Sequence, residues 1–138
     1  MKSIYSNEKF NQAAAFYIRI EVFVKEQGVP FIDEFTCADT DDKEYLFIYD
    51  GDIPVATAYI NKFSDSLYQI DRVAVLASHR GLGLGDRLIS ELLPLVSGDV
   101  FLHAELDVVD FYAKYGFKTT GDVFLEDGIE VIKMSTVF

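Results

Sequence analysis

The residues that most clearly suggest chemistry form a glycine-rich loop, Arg80-Gly81-Leu82-Gly83-Leu84-Gly85, which follows an apolar run at residues 73–76. Leucines at helical spacing, at positions 84, 88, 92 and 95, come directly after it. Glycines let the backbone approach an anion, and the first N–H groups of a helix point toward such an anion. Arg80 can add a charge-assisted contact. The segment predicts a phosphate-binding loop between a strand and a helix, although three glycines could also form an ordinary tight turn.

The loop does not match two other nucleotide-binding signatures. Asp86 stands where the dinucleotide fingerprint requires glycine, and no Gly-Lys-Ser/Thr follows, as a P-loop requires. A metal site is not expected either, because His79 and His103 have no cysteine or second histidine at ligand spacing. The single cysteine, Cys37, lies in a polar stretch and is interpreted as a free thiol without a catalytic role.

The elements around this loop alternate irregularly between strands and helices. A short strand at residues 2–5 precedes a helix that we expect to end near Gln27, because Gly28 and Pro30 follow, and residues 31–43 are predicted as a loop. Further strands are predicted at 45–49, 53–61, 67–76, 100–106, 117–124 and 129–137, with helices at 84–96 and 108–115. Consecutive strands joined by short turns favour a mixed α/β sheet over a regular βαβ alternation.

Size, apolar content and cysteine usage favour one cytoplasmic domain. Half of the 138 residues are apolar, which is enough for a sizeable core, and the chain contains no repeat or low-complexity linker. No apolar run reaches the length of a membrane span, residues 1–10 lack the apolar region of a secretory signal, and one cysteine allows no internal disulfide. We expect a single domain over residues 1–138, located in the cytoplasm and without membrane contact.

The net charge of −11 argues against nucleic acid as a partner, because phosphate contacts need clustered lysine and arginine. An acidic chain can still bind an anionic ligand if the positive potential is local, as it is at the start of a helix. The same acidity weakly favours a cationic substrate such as an amine. Most of this charge can also be explained as a solvated surface.

Two separated motifs resemble the GNAT superfamily of N-acetyltransferases. The loop has the family's Arg/Gln-x-x-Gly-x-Gly/Ala spacing and follows the strand Arg72-Val73-Ala74-Val75, and Phe111-Tyr112-Ala113-Lys114-Tyr115-Gly116-Phe117 resembles its Phe-Tyr-x-Lys-x-Gly-Phe block. The runs at residues 19–27 and 124–129 are similar to the ElaA-like subgroup, so the resemblance covers nearly the whole chain. It implies a mixed, mostly antiparallel twisted sheet of six to seven strands, flanked by about four helices, with a splayed parallel strand pair.

The resemblance also implies acetyl-CoA as the acyl donor, held where the strands at 67–76 and 100–106 diverge. The backbone amides of residues 80–85 would bind its pyrophosphate, and the backbone of Val73 and Val75 would pair with its pantetheine arm. The Val75 N–H could polarise the thioester carbonyl. The cofactor-binding positions implied in this way are Val73, Ala74, Val75, Arg80, Gly81, Leu82, Gly83, Leu84, Gly85 and Asp86.

Catalytic roles follow from the resemblance for two side chains. Tyr112 would be the general acid that protonates the leaving thiolate, since a phenol with a pKa of about 10 is protonated at neutral pH. Asp71 is a candidate general base, because relatives carry glutamate or histidine at this position or at the position of Gln69. Glu26, Glu105 and His103 are further candidates, and deprotonation through water is an alternative. Glu105 also replaces an asparagine of many relatives, which puts one cofactor contact in doubt.

The acceptor side of the site is implied less specifically. In the family, the helix that carries Arg19, Glu26 and Gln27 borders the acceptor, so these side chains are candidate substrate-binding residues. The leading hypothesis is transfer of acetyl from acetyl-CoA to a primary amine of a small molecule or, alternatively, of a protein. The alternatives are a non-catalytic acyl-CoA sensor on the same fold, and an acidic interaction protein with a purely structural loop. A homodimer is possible through pairing of the apolar C-terminal strand.

Overall fold

The computed structural model describes residues 1–35 and 44–136. Cys37 and the final two residues of the chain lie outside them. The described strands are β1 Lys2–Ser6, β2 Tyr45–Asp50, β3 Ile53–Ser64, β4 Leu67–Val75, β5 Asp99–Glu105, β6 Phe117–Glu126 and β7 Ile129–Thr136. The described helices are α1 Lys9–Arg19, α2 Phe31–Glu34, α3 Leu84–Leu92 and α4 Val109–Ala113, together with a π-helical segment, Ile20–Glu26, that continues α1. None of these helices combines the length and the hydropathy of a membrane span.

The described strands form one mixed sheet in the order β1-β2-β3-β4-β5-β7-β6. The pairs β1–β2, β2–β3, β5–β7 and β6–β7 are antiparallel, whereas β4 and β5 pair in parallel from Leu67–Asp99 to Gln69–Phe101. The predicted mixed α/β sheet, mostly antiparallel with one parallel pair and about four helices, is therefore confirmed. Hairpins account for the β2–β3 and β6–β7 pairs, and the parallel pair requires the crossover through α3.

The described chain divides into two compact units, Met1–Ile60 with Arg72–Leu95 and Asn61–Asp71 with Val96–Phe138. In the first unit, α1 buries its small side chains Ala14 and Ala15 against the aromatic residues of β2 and β3. The predicted helix up to Gln27 changes to π-helical geometry at Ile20, and Gly28 ends it with φ +78°. The wider turn points Val22 and Phe23 into the core of this unit.

One local prediction in the first unit is wrong. Phe31–Glu34, which was predicted as part of a loop because it is acidic, is a short helix, and the side chain of Glu34 is fully buried. Its carboxylate accepts a hydrogen bond from Arg19, so the burial of one charge is compensated by the burial of its partner. Helix α3 also ends earlier than predicted, at Leu92, where a 3₁₀ turn containing Pro94 replaces it.

The second unit is built on β5, in which alternate residues are buried, as expected for a strand covered on one face. Its tightest backbone approach is at Gly98, where a Cβ would lie 2.5 Å from the carbonyl oxygen of Ser66. The C-terminal strand, considered above as a possible dimer contact, is an inner strand of the described sheet, because β7 pairs with β5 on one side and with β6 on the other. The tight turn after Glu126, with Asp127 and Gly128 both at positive φ, folds β7 back between them and leaves β6 as the edge strand.

Candidate functional site

The glycine-rich loop lies at a strand-to-helix junction in the first unit, as predicted from its sequence. Strand β4 ends at Val75, a 3₁₀ turn follows at Ala77–His79, and α3 begins at Leu84. Gly81 and Gly83 adopt φ values of +79° and +77°, which an L-amino acid other than glycine rarely accepts. Gly83 is the N-cap of α3 and brings no side chain, so the first N–H groups of this nine-residue helix face the loop without a capping hydroxyl or carboxylate.

Arg80 does not point freely into solvent. Its guanidinium makes a bidentate ion pair with Glu26, with N–O distances of 2.9 and 2.8 Å, and its Nε donates to the carbonyl oxygen of Val75 at 3.0 Å. A predicted cofactor residue and a predicted substrate residue are thus brought into direct contact. The pair is substantially exposed, at 47% for Arg80 and 37% for Glu26, so it is worth only about 0–1 kcal/mol and can be exchanged for another anion.

Arg19, another candidate substrate residue, is fully enclosed by protein groups. Its Nε donates to the Glu34 carboxylate at 2.8 Å, one terminal nitrogen donates to the Glu34 carbonyl at 2.8 Å, and the other donates to the Tyr45 hydroxyl at 3.1 Å. The guanidinium also stacks over the rings of Phe35 and Phe16. With 1% of its surface exposed, this side chain holds the first unit together and does not face a solvent-borne substrate.

The same carboxylate of Glu34 anchors a strained position in β4. Arg72 has φ +53° in the middle of the strand, a left-handed conformation that costs roughly 1–2 kcal/mol for a residue with a Cβ. Its Nε lies 3.1 Å from the Glu34 carboxylate, and its guanidinium lies 5.2 Å from the ring centroid of Phe23. Val73 directly follows Arg72 in β4. The contact between Arg72 and Glu34 therefore fixes the position at which the backbone of residues 73–75 begins.

Sequence reasoning missed the role of Glu34. An acidic residue in an acidic segment is typical of an exposed loop, and nothing local distinguishes it from its neighbour Asp33. The role of Glu34 is apparent only from long-range contacts, since its carboxylate lies beside the guanidinium groups of Arg19 and Arg72 in the folded chain.

The backbone of residues 73–75 is partly committed to the protein itself. The Val75 carbonyl accepts the Arg80 Nε, and the next residue, Leu76, donates its N–H to the Val55 carbonyl at 2.8 Å. Ala74 is buried, whereas Val73 and Val75 are only partly buried. Gln27, the third candidate substrate residue, is exposed at the end of the π-helical segment.

Tyr112 lies in the second unit, on α4, and is 8% exposed. Its ring packs edge-on against Phe111 and Phe117. Burial raises the pKa of the Tyr112 hydroxyl, and the negative charges of Glu105 and Asp71 raise it further. The two predicted catalytic residues, Tyr112 and Asp71, therefore interact electrostatically. The phenol stays protonated at every physiological pH and can donate a hydrogen bond, but it is a weaker acid than a solvated tyrosine.

Each histidine is paired with a carboxylate. In the second unit, His103 Nδ1 lies 2.6 Å from Glu126 Oε2, and in the first unit, His79 Nε2 lies 2.9 Å from Asp50 Oδ2. Among the described residues, no group of three or more histidine, cysteine, aspartate or glutamate side chains could hold a metal ion.

Comparison with known proteins agrees with this geometry. The acetyltransferase (GNAT) domain family matches residues 5–138. The uncharacterized N-acetyltransferase YjcF of Bacillus subtilis (strain 168) is 33% identical over 140 residues, which cover 97% of this chain and 98% of YjcF. The crystal structure of Escherichia coli ElaA matches with a TM-score of 0.87 and 28% identity, covering 99% of this chain and 100% of that one. An acyl-CoA N-acyltransferase from Pseudomonas aeruginosa matches with a TM-score of 0.88 and 26% identity, covering 99% of each chain.

These matches cover the chain almost from end to end and include both the loop and the Tyr112 block. The resemblance to the ElaA-like subgroup is confirmed by a 33% identity to protein ElaA of Escherichia coli (strain K12) over 129 residues. The chain is a member of the GNAT family of acetyltransferases.

Proposed function

We propose that this protein transfers an acetyl group from acetyl-CoA to a primary amine by direct attack of the amine on the thioester. The observation that carries the proposal is the conformation of the glycine-rich loop. Gly81 and Gly83 have positive φ, and α3 begins directly after them without a capping side chain. A chain that only needed a turn would not require two left-handed glycines and a helix start without a capping side chain. Family membership and the names of YjcF and the Pseudomonas acyltransferase support the same chemistry.

The residues of the loop suit a pyrophosphate. Its anionic oxygens would be bound by backbone N–H groups of residues 80–85 and by the positive end of the α3 dipole, which explains how a chain of net charge −11 can bind an anion. The acyl-CoA would approach the backbone of Val73, Ala74 and Val75. Arg80 reaches a phosphate only by leaving Glu26, so the carboxylate of Glu26 acts as a competing anion.

In the chemical step, the nitrogen lone pair of the amine forms a bond to the thioester carbonyl carbon, and the carbon–sulfur bond breaks with its electron pair on sulfur. The Val75 N–H would stabilise the oxygen that becomes negative. The hydroxyl of Tyr112 would donate a hydrogen bond to the leaving sulfur. Since burial raises the pKa of this phenol, its contribution would be the hydrogen bond that stabilises the departing thiolate, and the thiolate would take up a proton lost by the amine nitrogen.

Asp71 is proposed as one group that could accept a proton from the amine, directly or through water. Arg19 is not proposed as a substrate contact, because its guanidinium is enclosed by protein groups in the first unit. The match to residues 5–138 supports one catalytic domain formed by the whole chain. The single cysteine supports a reducing compartment such as the cytoplasm.

Calorimetric titration of acetyl-CoA and CoA tests the donor. The matched pair of variants is Gly83→Val and Gly51→Val, because both glycines have positive φ and open space around the missing Cβ. The two substitutions strain the backbone similarly, but only Gly83 lies in the loop. We expect binding to be lost in Gly83→Val and retained in Gly51→Val. A folded wild-type protein that binds neither ligand at millimolar concentration would refute the proposal.

Turnover with a panel of amines, followed by release of the CoA thiol, tests the reaction itself. Tyr112→Phe removes the hydroxyl while keeping the ring in its aromatic contacts. We expect kcat to fall by about 10²-fold, at the lower end of the range for acid catalysis, with little change in the affinity for acetyl-CoA. Tight binding of acetyl-CoA without turnover of any amine would favour the non-catalytic sensor instead.

A further inference from the structure

The two histidines of the chain are paired with carboxylates in different ways. His79 uses both ring nitrogens, since Nε2 bonds to Asp50 and Nδ1 lies 2.7 Å from the Ser78 hydroxyl oxygen. His103 uses only Nδ1, which lies 2.6 Å from Glu126 Oε2, and no described residue bonds to its Nε2. The His103 side chain is 26% exposed, so this second nitrogen remains accessible to a ligand.

The contact with Glu126 determines the tautomer of His103. An ionised carboxylate can only accept a hydrogen bond, so the hydrogen must be on Nδ1, and the lone pair of a neutral ring is on Nε2. The contact is short, as expected when one partner is charged. Glu126 is itself held by the tight turn formed by Asp127 and Gly128, both at positive φ. A histidine oriented in this way by a carboxylate is arranged as a base.

Two aromatic rings lie next to this imidazole, and a third lies next to one of them. The centroid of the His103 ring is 5.0 Å from that of Phe124, which packs edge-on, and 5.9 Å from that of Phe101, whose centroid is 5.6 Å from that of Phe63. We call these three rings and His103 the aromatic strip. Phe63 is 61% exposed and Phe124 is 38% exposed, although burying such a ring favours folding. Exposed aromatic rings next to an accessible base suggest a surface for a ligand with a flat, apolar group.

The aromatic strip already accommodates an ammonium group of the protein. Lys133, which pairs with His103 across β5 and β7, places Nζ 4.8 Å from the centroid of the Phe101 ring. This is a cation–π contact, and it places the ammonium of Lys133 over one ring of the strip. The surrounding strands carry several charged residues of both signs. They are Asp71 and Arg72 on β4, Asp99 and Glu105 on β5, Lys118, Asp122 and Glu126 on β6, and Glu130 and Lys133 on β7.

The strip and the proposed catalytic tyrosine belong to the same unit. His103 and Glu105 are two residues apart on β5, so they point to the same side of the strand. The charges of Glu105 and Asp71 both act on the hydroxyl of Tyr112. The strand that carries the oriented histidine therefore also carries a carboxylate that acts on Tyr112.

We infer that His103, oriented by Glu126, takes the place of Asp71 as the base that deprotonates the acceptor, and that the acceptor is a primary amine with an aromatic group that packs on the strip. This inference rests on the proposed acetyl transfer. The acceptor arrives as an ammonium ion, and Nε2 takes one proton so that the free lone pair can attack the thioester carbon. The second nitrogen proton leaves as the amide forms, and one proton ends on the departing thiolate. The products are an amide and a thiol, and one proton remains on His103 until it is released to water.

Imidazole NMR with ¹⁵N-labelled histidine tests the binding surface without depending on turnover. Only two rings contribute signals, and His103→Gln identifies those of His103. We expect 2-phenylethylamine to shift the Nε2 signal of His103 and to leave His79 unchanged. The matched probes are n-butylamine, which keeps the ammonium, and 2-phenylethanol, which keeps the ring. Both should cause smaller shifts at equal concentration. Equal shifts at the two histidines, or no shift at His103, would overturn the inference.

Kinetics with acetyl-CoA and 2-phenylethylamine test the role as a base. His103→Gln should lower kcat/KM by about 10²–10⁴-fold. Glu126→Gln should lower it by about 10–100-fold, a typical effect of losing the group that orients a functional histidine. Asp50→Asn, which disrupts only the other histidine pair, should leave it unchanged. Wild-type activity in His103→Gln would refute the inference alone, whereas wild-type protein that binds no acetyl-CoA would refute the proposed function.

Discussion

Replacing Glu34 with glutamine tests whether one buried carboxylate supports both the core of the first unit and the strained part of β4. The side chain of Glu34 is 0% exposed and that of Arg19 is 1% exposed, with 2.8 Å between the carboxylate and the guanidinium Nε. The same oxygen lies 3.1 Å from Arg72, whose side chain is 19% exposed. Glutamine has nearly the same shape but no charge, so the variant removes the negative charge that the two guanidinium groups share.

The expected loss of stability is large. Removing one partner of a buried ion pair costs about 3–5 kcal/mol, because the remaining charge stays buried. A typical domain is stable by only about 5–15 kcal/mol, so this is a substantial fraction of the total. With a urea m-value of about 2 kcal/mol/M, the midpoint of unfolding should fall by about 1.5–2.5 M.

Equilibrium unfolding in urea, followed by circular dichroism, measures this shift. Glu21→Gln is the matched control, because Glu21 makes an i,i+4 ion pair with Lys25 in the neighbouring π-helical segment, but both partners are partly exposed. Its unfolding free energy should change by at most about 0.5 kcal/mol. Equal urea midpoints for the two variants would contradict the prediction, because the buried ion pair of Glu34 would then contribute no more stability than the partly exposed pair of Glu21. Folded Glu34→Gln protein should also bind acetyl-CoA more weakly, because Arg72 would no longer be anchored beside residues 73–75.

Substitutions at four further positions test local backbone strain, a close backbone approach, titration and competition for the loop. Because Arg72 has φ +53°, Arg72→Gly should be more stable to urea than Arg72→Ala by about 0.5–1 kcal/mol, the reverse of the usual order. Gly98→Ala should lower the unfolding free energy by about 1–3 kcal/mol in the same assay, since the new Cβ would meet backbone at 2.5 Å. The pKa of Tyr112 is raised in the folded state, so wild-type stability should fall as the pH rises above about 10, the pKa of a free phenol, and Tyr112→Phe should lose less over that range. Glu26→Gln should leave Arg80 available and increase the affinity for acetyl-CoA by up to about tenfold, because an exposed ion pair is worth about 1 kcal/mol. An unchanged affinity in calorimetry would contradict the idea that Glu26 competes with the phosphates of acetyl-CoA for Arg80.

Patterns within short segments were sufficient to predict several parts of this protein. The glycines at 81 and 83 indicated a loop directly before a helix, and both adopt φ values that only glycine adopts without strain. The leucines at helical spacing indicated α3 from neighbouring residues alone. The two motifs of the GNAT family also lie in continuous stretches of the chain. The family and the class of fold could therefore be predicted without coordinates.

Other features depend on contacts between residues that are distant in the sequence. The short helix at Phe31–Glu34 was predicted as a loop, since its acidic residues indicate exposure until the guanidinium of Arg19 is placed beside them. The position of the C-terminal strand in the sheet was not predicted, because no local signal records that β7 returns between β5 and β6.

The pairing of Arg80 with Glu26 joins positions separated by 54 residues, and that of His103 with Glu126 joins positions separated by 23. Backbone conformation and amphipathic spacing are set by neighbouring residues, so the sequence by itself determined the loop, the family and the kind of sheet. The partner of each charged side chain depends on which distant segments the fold brings together. Only the tertiary structure therefore decided that Arg19 is buried, that Arg80 is paired with Glu26 and that Nε2 of His103 remains accessible.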